Sequence, residues 1–328
     1  HSKKRCWLCR RTMIRWGKTK QGKPRFRCQK CLQTQIKKRP DVGKKNREIL
    51  FAKWLLTTET LSRLEKRNGR GINTLLRLFS PYWNQSIISD YPGEGRVVIV
   101  DGIRIGSDES ILIAIDEAGT PIAWTPCLRE TSLTWNRLFD EVKKQGVVNP
   151  VGIVSDAQKG LLLALKWSFG TTPRQRCLTH VVRLAHAWLT RHPKTIAGVE
   201  LRQLVSSLYD IKSKEEASLF QEKFSSWLKN HDEFLKEKSF LLGTKRWWYT
   251  HRKLRWVKTL LARSLPDLFT FLELPNIPRT TNQLEGGINS PIKALIRHHR
   301  GMSTSHKRIL VFHFLRARQK KKPTLNAN

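Results

Sequence analysis

The 328 residues exceed what one hydrophobic core usually supports, which predicts two to four modules, and Lys and Arg total 62 against 26 Asp and Glu. The formal net charge of +36 favours a nucleic-acid partner over a generically basic ribosomal or membrane-surface protein, because a polyanion would relieve the self-repulsion. No apolar run reaches the roughly 18–20 residues of a membrane span, and no signal-peptide pattern opens the sequence.

Residues 1–36 are basic and contain two paired cysteine motifs. Cys6-x-x-Cys9 and Cys28-x-x-Cys31 are separated by eighteen residues, a spacing typical of a zinc ribbon. Such a small module buries little apolar surface, so one structural Zn²⁺ is expected to supply its folding energy. Arg25 and Arg27 are candidate DNA contacts, although a purely structural ribbon has the same composition.

Residues 37–90 are predicted to be helical. Apolar residues recur at helical spacing over 45–83, and the segment from Gly69 to Asn73 reads as a turn between two helices. A short Gly-containing turn favours a helix-turn-helix-like DNA-binding unit with Arg70 as a candidate contact, and a plain helical linker is the alternative.

Residues 91–177 are predicted to form the first part of an α/β core with a mixed sheet. The expected elements are strands at 97–101, 111–115, 120–125 and 150–155, a turn at 116–119, and helices at 133–145 and 158–168. Asp101 and Asp156 each stand at the carboxyl end of a strand, the edge where α/β sheets place ligand sites.

Residues 178–274 show helical periodicity and are predicted to be an all-helical insertion. Within it, Lys245, Arg246, Trp247 and Trp248 combine cations with aromatic rings, which suits stacking on DNA bases, whereas burial in a helix core is the alternative. Residues 275–328 are predicted to complete the core with a helix carrying Glu285. This part adds a basic tail from 293 to 322 and three further candidate DNA contacts: Arg279, Arg297 and Arg300.

Three acids are candidates for a shared metal site. If the strands before Asp101 and Asp156 are neighbours, their carboxylates repel each other, and divalent cations such as Mg²⁺ or Mn²⁺ relieve the repulsion. Two ions of this kind support phosphodiester chemistry, and Glu285 is chosen as the third ligand. The alternatives are strand-end turn acids and, for Glu285, a capping box with Asn282. Asp116 fits a hairpin turn and Glu130 has no assigned place, so neither is included.

Four sequence blocks resemble those of bacterial insertion-sequence transposases related to Mutator elements. The blocks are Val98-Ile-Val-Asp101-Gly102, Ile153-Val-Ser-Asp156-Ala-Gln-Lys-Gly160-Leu161, Gln175-Arg-Cys177-Leu-Thr-His180-Val-Val-Arg183 and Thr280-Thr-Asn-Gln-Leu-Glu285-Gly-Gly-Ile-Asn289. The resemblance implies a ribonuclease H-like catalytic domain with a helical insertion, and it implies Asp101, Asp156 and Glu285 as an acidic triad.

The same resemblance places Cys177 and His180 near the active site, as positioning groups rather than zinc ligands; a buried core cysteine and a helical histidine are the alternative. The amino-terminal zinc ribbon is found only in a subset of such elements. Pro291, soon after Glu285, is expected to displace or kink the helix that carries this acid.

The resulting hypothesis is a metal-dependent DNA transposase that binds the terminal inverted repeats of its element and the target DNA. It is expected to act as a homodimer or larger assembly and to reside in the bacterial cytoplasm, associated with the nucleoid. A nuclease on the same scaffold and a domesticated DNA-binding regulator are the alternatives.

Overall fold

The computed structural model describes residues 4–6, 9, 11–36, 40–274 and 276–320, without the side chains of 40–45. The chain divides into two compact units, His1–Gln85 and Ser86–Asn328. The last two residues of the predicted basic tail, 321 and 322, lie outside the described residues. Among the described residues, no helix has both the length and the apolar character that crossing a membrane requires.

The first unit begins with a small antiparallel sheet of three strands. The strands are β1 (Met13–Lys18), β2 (Pro24–Cys28) and β3 (Thr34–Ile36), in that spatial order. The buried cluster of this sheet is formed by Cys6, Met13 and Cys28, with Phe26 packed against it. So small an apolar cluster stabilises a fold weakly, which makes the cysteines the main source of cohesion once they bind a metal.

Three helices follow in the same unit: α1 (Pro40–Leu55), α2 (Leu61–Asn68) and α3 (Ile72–Phe79), with a 3₁₀ turn at Ser80–Tyr82. Thr60 caps the start of α2 by accepting a hydrogen bond from the Arg63 N–H. At its end Gly69 adopts a left-handed conformation with φ 62°, which glycine reaches without strain. The connection to α3 therefore lies in the predicted turn.

The second unit is built on a mixed sheet of five strands in the order β6-β5-β4-β7-β8. The strands are β4 (Val97–Arg104), β5 (Ser110–Ile115), β6 (Pro121–Cys127), β7 (Gly152–Ser155) and β8 (Arg174–Arg176). β4, β5 and β6 are antiparallel, whereas β7 and β8 continue the sheet in parallel with β4. The predicted α/β class with a mixed sheet is confirmed, and β8 is an additional strand that its polar sequence, Arg-Gln-Arg, did not indicate.

Helices cover this sheet and fix its central strands. α4 (Ser132–Lys144) and α5 (Lys159–Phe169) share one hydrophobic core with the sheet, which includes Trp135 and Phe139. The first four residues of β4 are all buried, so this strand is covered on both faces. The predicted end of this strand at Asp101 is wrong, because β4 continues through Asp101 to Arg104; Asp101 directly follows the buried half of the strand, whose packing holds the backbone there.

The insertion between β8 and the last part of the core is not all-helical, and that prediction is wrong. Its helices are α6 (Leu178–Leu189), α7 (Ile196–Ser207), α8 (Lys214–Asn230), α9 (Asp232–Lys236) and α10 (Arg252–Leu268). A hairpin of β9 (Lys238–Phe240) and β10 (Trp247–Tyr249) lies between α9 and α10. Strands of three residues are too short to show the alternation by which strands are predicted, and Gly243, with φ 74°, forms part of the turn.

Polar contacts join the insertion to the sheet edge. Asp267 of α10 accepts hydrogen bonds from Arg174 and Arg176 of β8, at 2.6 Å and 2.9 Å. The Gln175 amide donates to the Leu268 carbonyl oxygen at 2.8 Å. These groups are largely buried, where paired charges are much less screened than at the surface, so α10 is fixed to β8.

The chain returns to the core through a helical segment that changes its winding. α11 (Asn282–Leu284) is followed by a π-helical turn at Glu285–Asn289, then by α12 (Ser290–His298) and α13 (Thr304–Lys320). Pro291 lies in the first turn of α12, where a missing N–H does little harm. The predicted disturbance by Pro291 is thus a π turn just before it, and Glu285 is the first residue of that turn.

Candidate metal centres and nucleic-acid interface

The four paired cysteines converge in the first unit. The Sγ–Sγ distances are 3.5 Å for Cys6 and Cys31, 3.3 Å for Cys9 and Cys28, and 3.5 Å for Cys9 and Cys31. All four are free thiols, and their sulfur atoms lie within 4.8 Å of one another. Four thiolates around zinc at about 2.3 Å would lie about 3.8 Å apart, so the cluster fits a structural metal such as Zn²⁺.

The sheet brings the first two predicted acids to the same edge. β4 and β7 are parallel neighbours, with Ile99 paired to Val154. Asp101 and Asp156 each stand two residues beyond that pair. Asp101, within β4, and Asp156, directly after β7, therefore lie at the same level of adjacent strands.

Asp101 lies at the centre of the charged groups of the second unit. Burial, together with the charges of Asp156 and Glu285, raises the pKa of Asp101 to about 6 against the opposing effects of His180 and the Gly102 N–H. Its Oδ1 accepts the Gly102 N–H at 2.9 Å, and its Oδ2 accepts a hydrogen bond from the Asn289 side chain at 2.9 Å. Both oxygen atoms are thus oriented by neighbouring donors.

Glu285 approaches the same place from the returning helical segment. Its Oε2 accepts a hydrogen bond from Arg183 at 2.5 Å, and its Oε1 accepts one from the Thr281 hydroxyl at 3.0 Å. Burial raises the pKa of Glu285, but Arg183, Thr281 and the charge of His180 outweigh it, and the net shift is downward. The carboxylate is therefore held in its ionised form.

Cys177 and His180 stand beside Glu285. The Thr281 N–H donates to the Cys177 sulfur at 3.3 Å, and His180 Nε2 lies 3.8 Å from Glu285 Oε1. The Cys177 sulfur, together with Asp101 and Glu285, raises the pKa of His180 to about 9 against the effect of burial. The donor atoms of Cys177, His180 and Glu285 lie within 4.8 Å of one another, a mixed set that zinc accepts.

Glu130, left without a place by the sequence analysis, lies at the edge of the acid cluster. Burial and the charge of Asp156 raise its pKa, against a hydrogen bond from Gln158. A Cβ on Gly102 would lie 2.6 Å from Glu130 Oε1, so glycine at 102 lets this carboxylate approach the strand. Asp116, by contrast, accepts the Thr120 N–H at 2.7 Å within the predicted turn.

A cavity of about 810 Å³ opens onto Asp101 and Glu285 and has a basic rim; Asp156 is not among its lining residues. Asp101, His180 and Glu285 line it, and the cationic lining residues are Arg104, Arg183, Lys293 and Arg297. Of the candidate DNA contacts named from sequence, Arg297 lies at this cavity. Arg279 instead donates to the Tyr209 carbonyl oxygen at 3.0 Å. The cavity combines carboxylates that suit divalent metals with cations that suit phosphate groups.

The other candidate DNA contacts lie on exposed parts of the molecule. Arg25, Arg70 and Arg300 are exposed, and Arg27 stacks on the half-exposed ring of Trp16 at 4.5 Å. Lys245 and Arg246 are exposed at the hairpin. Trp247 and Trp248 are 46% and 39% exposed, so burial of these rings in a helix core is wrong.

The second unit thus combines an α/β sheet with two acids, Asp101 and Glu285, that line a basic cavity. Residues 116–241 match the model of the Mutator family of transposases. A 54-residue segment is 37% identical to the transposase for insertion sequence element IS256 in transposon Tn4001 from Staphylococcus aureus, and equally to that from Enterococcus faecalis (strain ATCC 700802 / V583).

The segment is 16% of this chain and 14% of each relative, so the match spans about a seventh of the curated relatives' length. The resemblance to insertion-sequence transposases of the Mutator class is confirmed over the matched residues. Asp156, Cys177 and His180 lie inside the family match, whereas Asp101 and Glu285 lie outside it.

Proposed function

We propose that the chain is a DNA transposase that cleaves phosphodiesters and joins DNA ends with divalent metal ions bound by Asp101, Asp156 and Glu285. The observation that carries this proposal is the placement of Asp101 and Asp156 at one level of adjacent strands, with Glu285 close enough to raise the pKa of Asp101. The Mutator-family match of residues 116–241 supports the same activity.

The residues present fit such metals. Three carboxylates form an oxygen donor set, and the side-chain oxygen of Asn289, beside Asp101, has no hydrogen-bond partner among the described residues. When bound, the metals would lower the pKa of an attacking hydroxyl and stabilise the leaving oxygen. Mg²⁺ or Mn²⁺ suits this donor set, and two ions are proposed.

The surrounding residues are proposed to bind DNA phosphates and to orient the Glu285 carboxylate. Arg104, Lys293 and Arg297 offer donors for DNA phosphates at the cavity rim. Arg183 and Thr281 fix the Glu285 carboxylate, while Cys177 holds Thr281 through its sulfur, so the cysteine and His180 act as positioning groups. Three antiparallel strands followed by parallel strands with a helical crossover support a ribonuclease H-like topology for the catalytic core at 91–177 and 275–328.

DNA recognition is assigned to the remaining segments. The ribbon at 1–36 and the helix-turn-helix-like segment at 37–90 would bind the terminal inverted repeats, with Arg25, Arg27 and Arg70 as contacts, and the insertion at 178–274 would bind near the cleavage site. A homodimer or larger assembly on DNA would pair two ends. The protein would act in the bacterial cytoplasm on nucleoid DNA.

A strand-transfer assay tests the proposal and separates it from its alternatives. The purified full chain is incubated with a labelled duplex carrying the end of its element and with plasmid DNA, in Mg²⁺, Mn²⁺ or Ca²⁺. We expect cleavage and joined products in Mg²⁺ or Mn²⁺ and binding with little chemistry in Ca²⁺. Cleavage without joining would favour the nuclease, and binding without cleavage in any metal would favour the regulator.

The hairpin of β9 and β10 is proposed to stack on unpaired or distorted bases. Trp247 and Trp248 are half exposed, and the Lys238 ammonium lies 4.1 Å from the centre of the Trp247 ring. Stacking of a base on an aromatic ring contributes about 1–3 kcal/mol, so Trp248→Ala should weaken binding of single-stranded or nicked DNA roughly 5–150-fold.

Fluorescence anisotropy with single-stranded and duplex oligonucleotides measures this effect. Trp167→Ala, which changes another exposed tryptophan outside the hairpin, serves as the matched control. If a folded Trp248→Ala protein bound single-stranded DNA with unchanged affinity, the proposal that the hairpin stacks on DNA bases would be wrong.

A further inference from the structure

Asn289 is a buried polar residue that borders the acid cluster. It is 5% exposed, ends the π-helical turn that begins at Glu285, and lines the basic cavity. Its Nδ2 donates a hydrogen bond to Asp101 Oδ2 at 2.9 Å. The side chain therefore reaches the acid of β4 from the same turn that supplies Glu285.

In the side-chain amide of Asn289, the nitrogen makes a hydrogen bond and the oxygen makes none to the described residues. An ionised carboxylate only accepts hydrogen bonds, so the amide nitrogen must face Asp101 and the oxygen must face away from it. Asn289 Oδ1 is buried and has no hydrogen-bond partner among the described residues. Leaving a buried polar atom unpaired costs about 1–3 kcal/mol, and an unpaired atom in a residue that lines a cavity points to a ligand that supplies the missing partner.

The chemistry of the atom identifies the ligand. An amide oxygen carries partial negative charge and accepts hydrogen bonds, as phosphate oxygens do, so it repels phosphate and attracts cations or hydrogen-bond donors. Side-chain amide oxygens are among the ligands of hard divalent cations. Of the neighbouring cationic side chains, Arg183 is engaged by Glu285, and Arg104 is hydrogen bonded to the Gly106 carbonyl oxygen.

We propose that Asn289 is a ligand of the divalent cation, through Oδ1, while its Nδ2 holds Asp101 in place. This inference rests on the proposed function, because it adds a neutral ligand to the site of the three acids. Glu285 and Asn289 are the first and last residues of one π-helical turn, and both approach Asp101.

Direct measurement of Mn²⁺ binding tests the proposal without using activity. The zinc-loaded full chain is titrated with Mn²⁺, and free Mn²⁺ is measured by electron paramagnetic resonance. Asn289→Leu, which keeps the approximate volume and removes both polar atoms, should weaken Mn²⁺ binding at least tenfold. Asn289→Asp, which keeps an oxygen facing the cation and adds charge, should retain or tighten binding. Asn230→Leu, at an exposed helix end, is the matched control and should bind as the unmodified chain does.

Thermal unfolding with and without Mn²⁺ provides the second measurement. Asn289→Asp places a carboxylate against Asp101, so it should lower the unfolding temperature without metal and regain stability as Mn²⁺ is added. Weaker Mn²⁺ binding by both Asn289 variants would show that Asn289 only orients Asp101 and would overturn the ligand assignment. Unchanged binding by a folded Asn289→Leu protein would also overturn it. Failure of the proposed function is distinct: the unmodified chain would then bind no Mn²⁺, or Asp101→Asn would bind it unchanged.

Discussion

Replacement of Asp101 or Asp156 by Asn, or of Glu285 by Gln, is expected to reduce DNA cleavage and strand transfer at least about 1,000-fold, equivalent to about 4 kcal/mol of transition-state stabilisation. Each change preserves shape and removes the charge with which a divalent metal would be bound. DNA binding should remain or become tighter, because one negative charge near phosphate is lost.

The assay is gel-based cleavage of a labelled element end, with binding measured on the same samples. Asp140→Asn, an exposed acid on α4, is the matched control and should cut at the normal rate. Normal cleavage by either Asn variant would refute the proposed mechanism. Arg183 and Thr281 both donate hydrogen bonds to Glu285, so Glu285→Gln could also weaken the fold. The unfolding temperature of this variant is therefore measured as well, to separate a loss of activity from a loss of structure.

Removal of the metal from the cysteine cluster is expected to unfold the amino-terminal sheet and abolish sequence-specific binding of element ends. Structural zinc sites supply about 10–16 kcal/mol of apparent binding energy in small modules, far more than the buried cluster of Cys6, Met13 and Cys28 could offer. Cys28→Ser should have the same effect as a strong chelator. Salt-sensitive general DNA binding should persist, since most of the positive charge lies elsewhere.

Metal analysis of the purified full chain should find about one zinc per chain, and Cys28→Ser should lose it. Cys127→Ser changes a buried cysteine outside the cluster and should retain the metal. A chain that contains no zinc, or whose four clustered cysteines form two disulfides, would rule out the zinc ribbon.

The sequence predicted the parts of the site that depend on local pattern. Apolar runs ending in Asp101 and Asp156 placed both acids directly after buried strand segments, although β4 itself continues past Asp101, and the cysteine spacing placed four sulfur atoms together. That β4 and β7 are neighbours is a matter of strand order, which periodicity does not report, so the sequence left their adjacency as a condition. Glu285 was predicted as the third acid from the sequence block that contains it and from the helix expected to carry it.

The parts that were missed depend on contacts between residues distant along the chain. Asn289 meets Asp101 across 188 positions, and Glu130 meets Gly102 across a meander of two further strands. The charge pattern likewise indicated DNA binding without showing which of 62 cations border the cavity. Arg104, Arg183 and Lys293 were therefore not singled out.

The first and last residues of the insertion lie next to each other in the structure. The Leu178 N–H donates to the Arg279 carbonyl oxygen at 3.1 Å, so the roughly 100 residues between them leave the core and return to the same point. Closing a flexible loop of that length costs about 4 kcal/mol of chain entropy. The insertion has its own hydrophobic core, which includes Phe220, Phe224 and Trp227, and its prior folding would draw the two ends together and reduce that loss. On the proposed mechanism, the folding of an insertion that contributes no acid to the site would therefore lower the entropic cost of bringing the third acid to the first two.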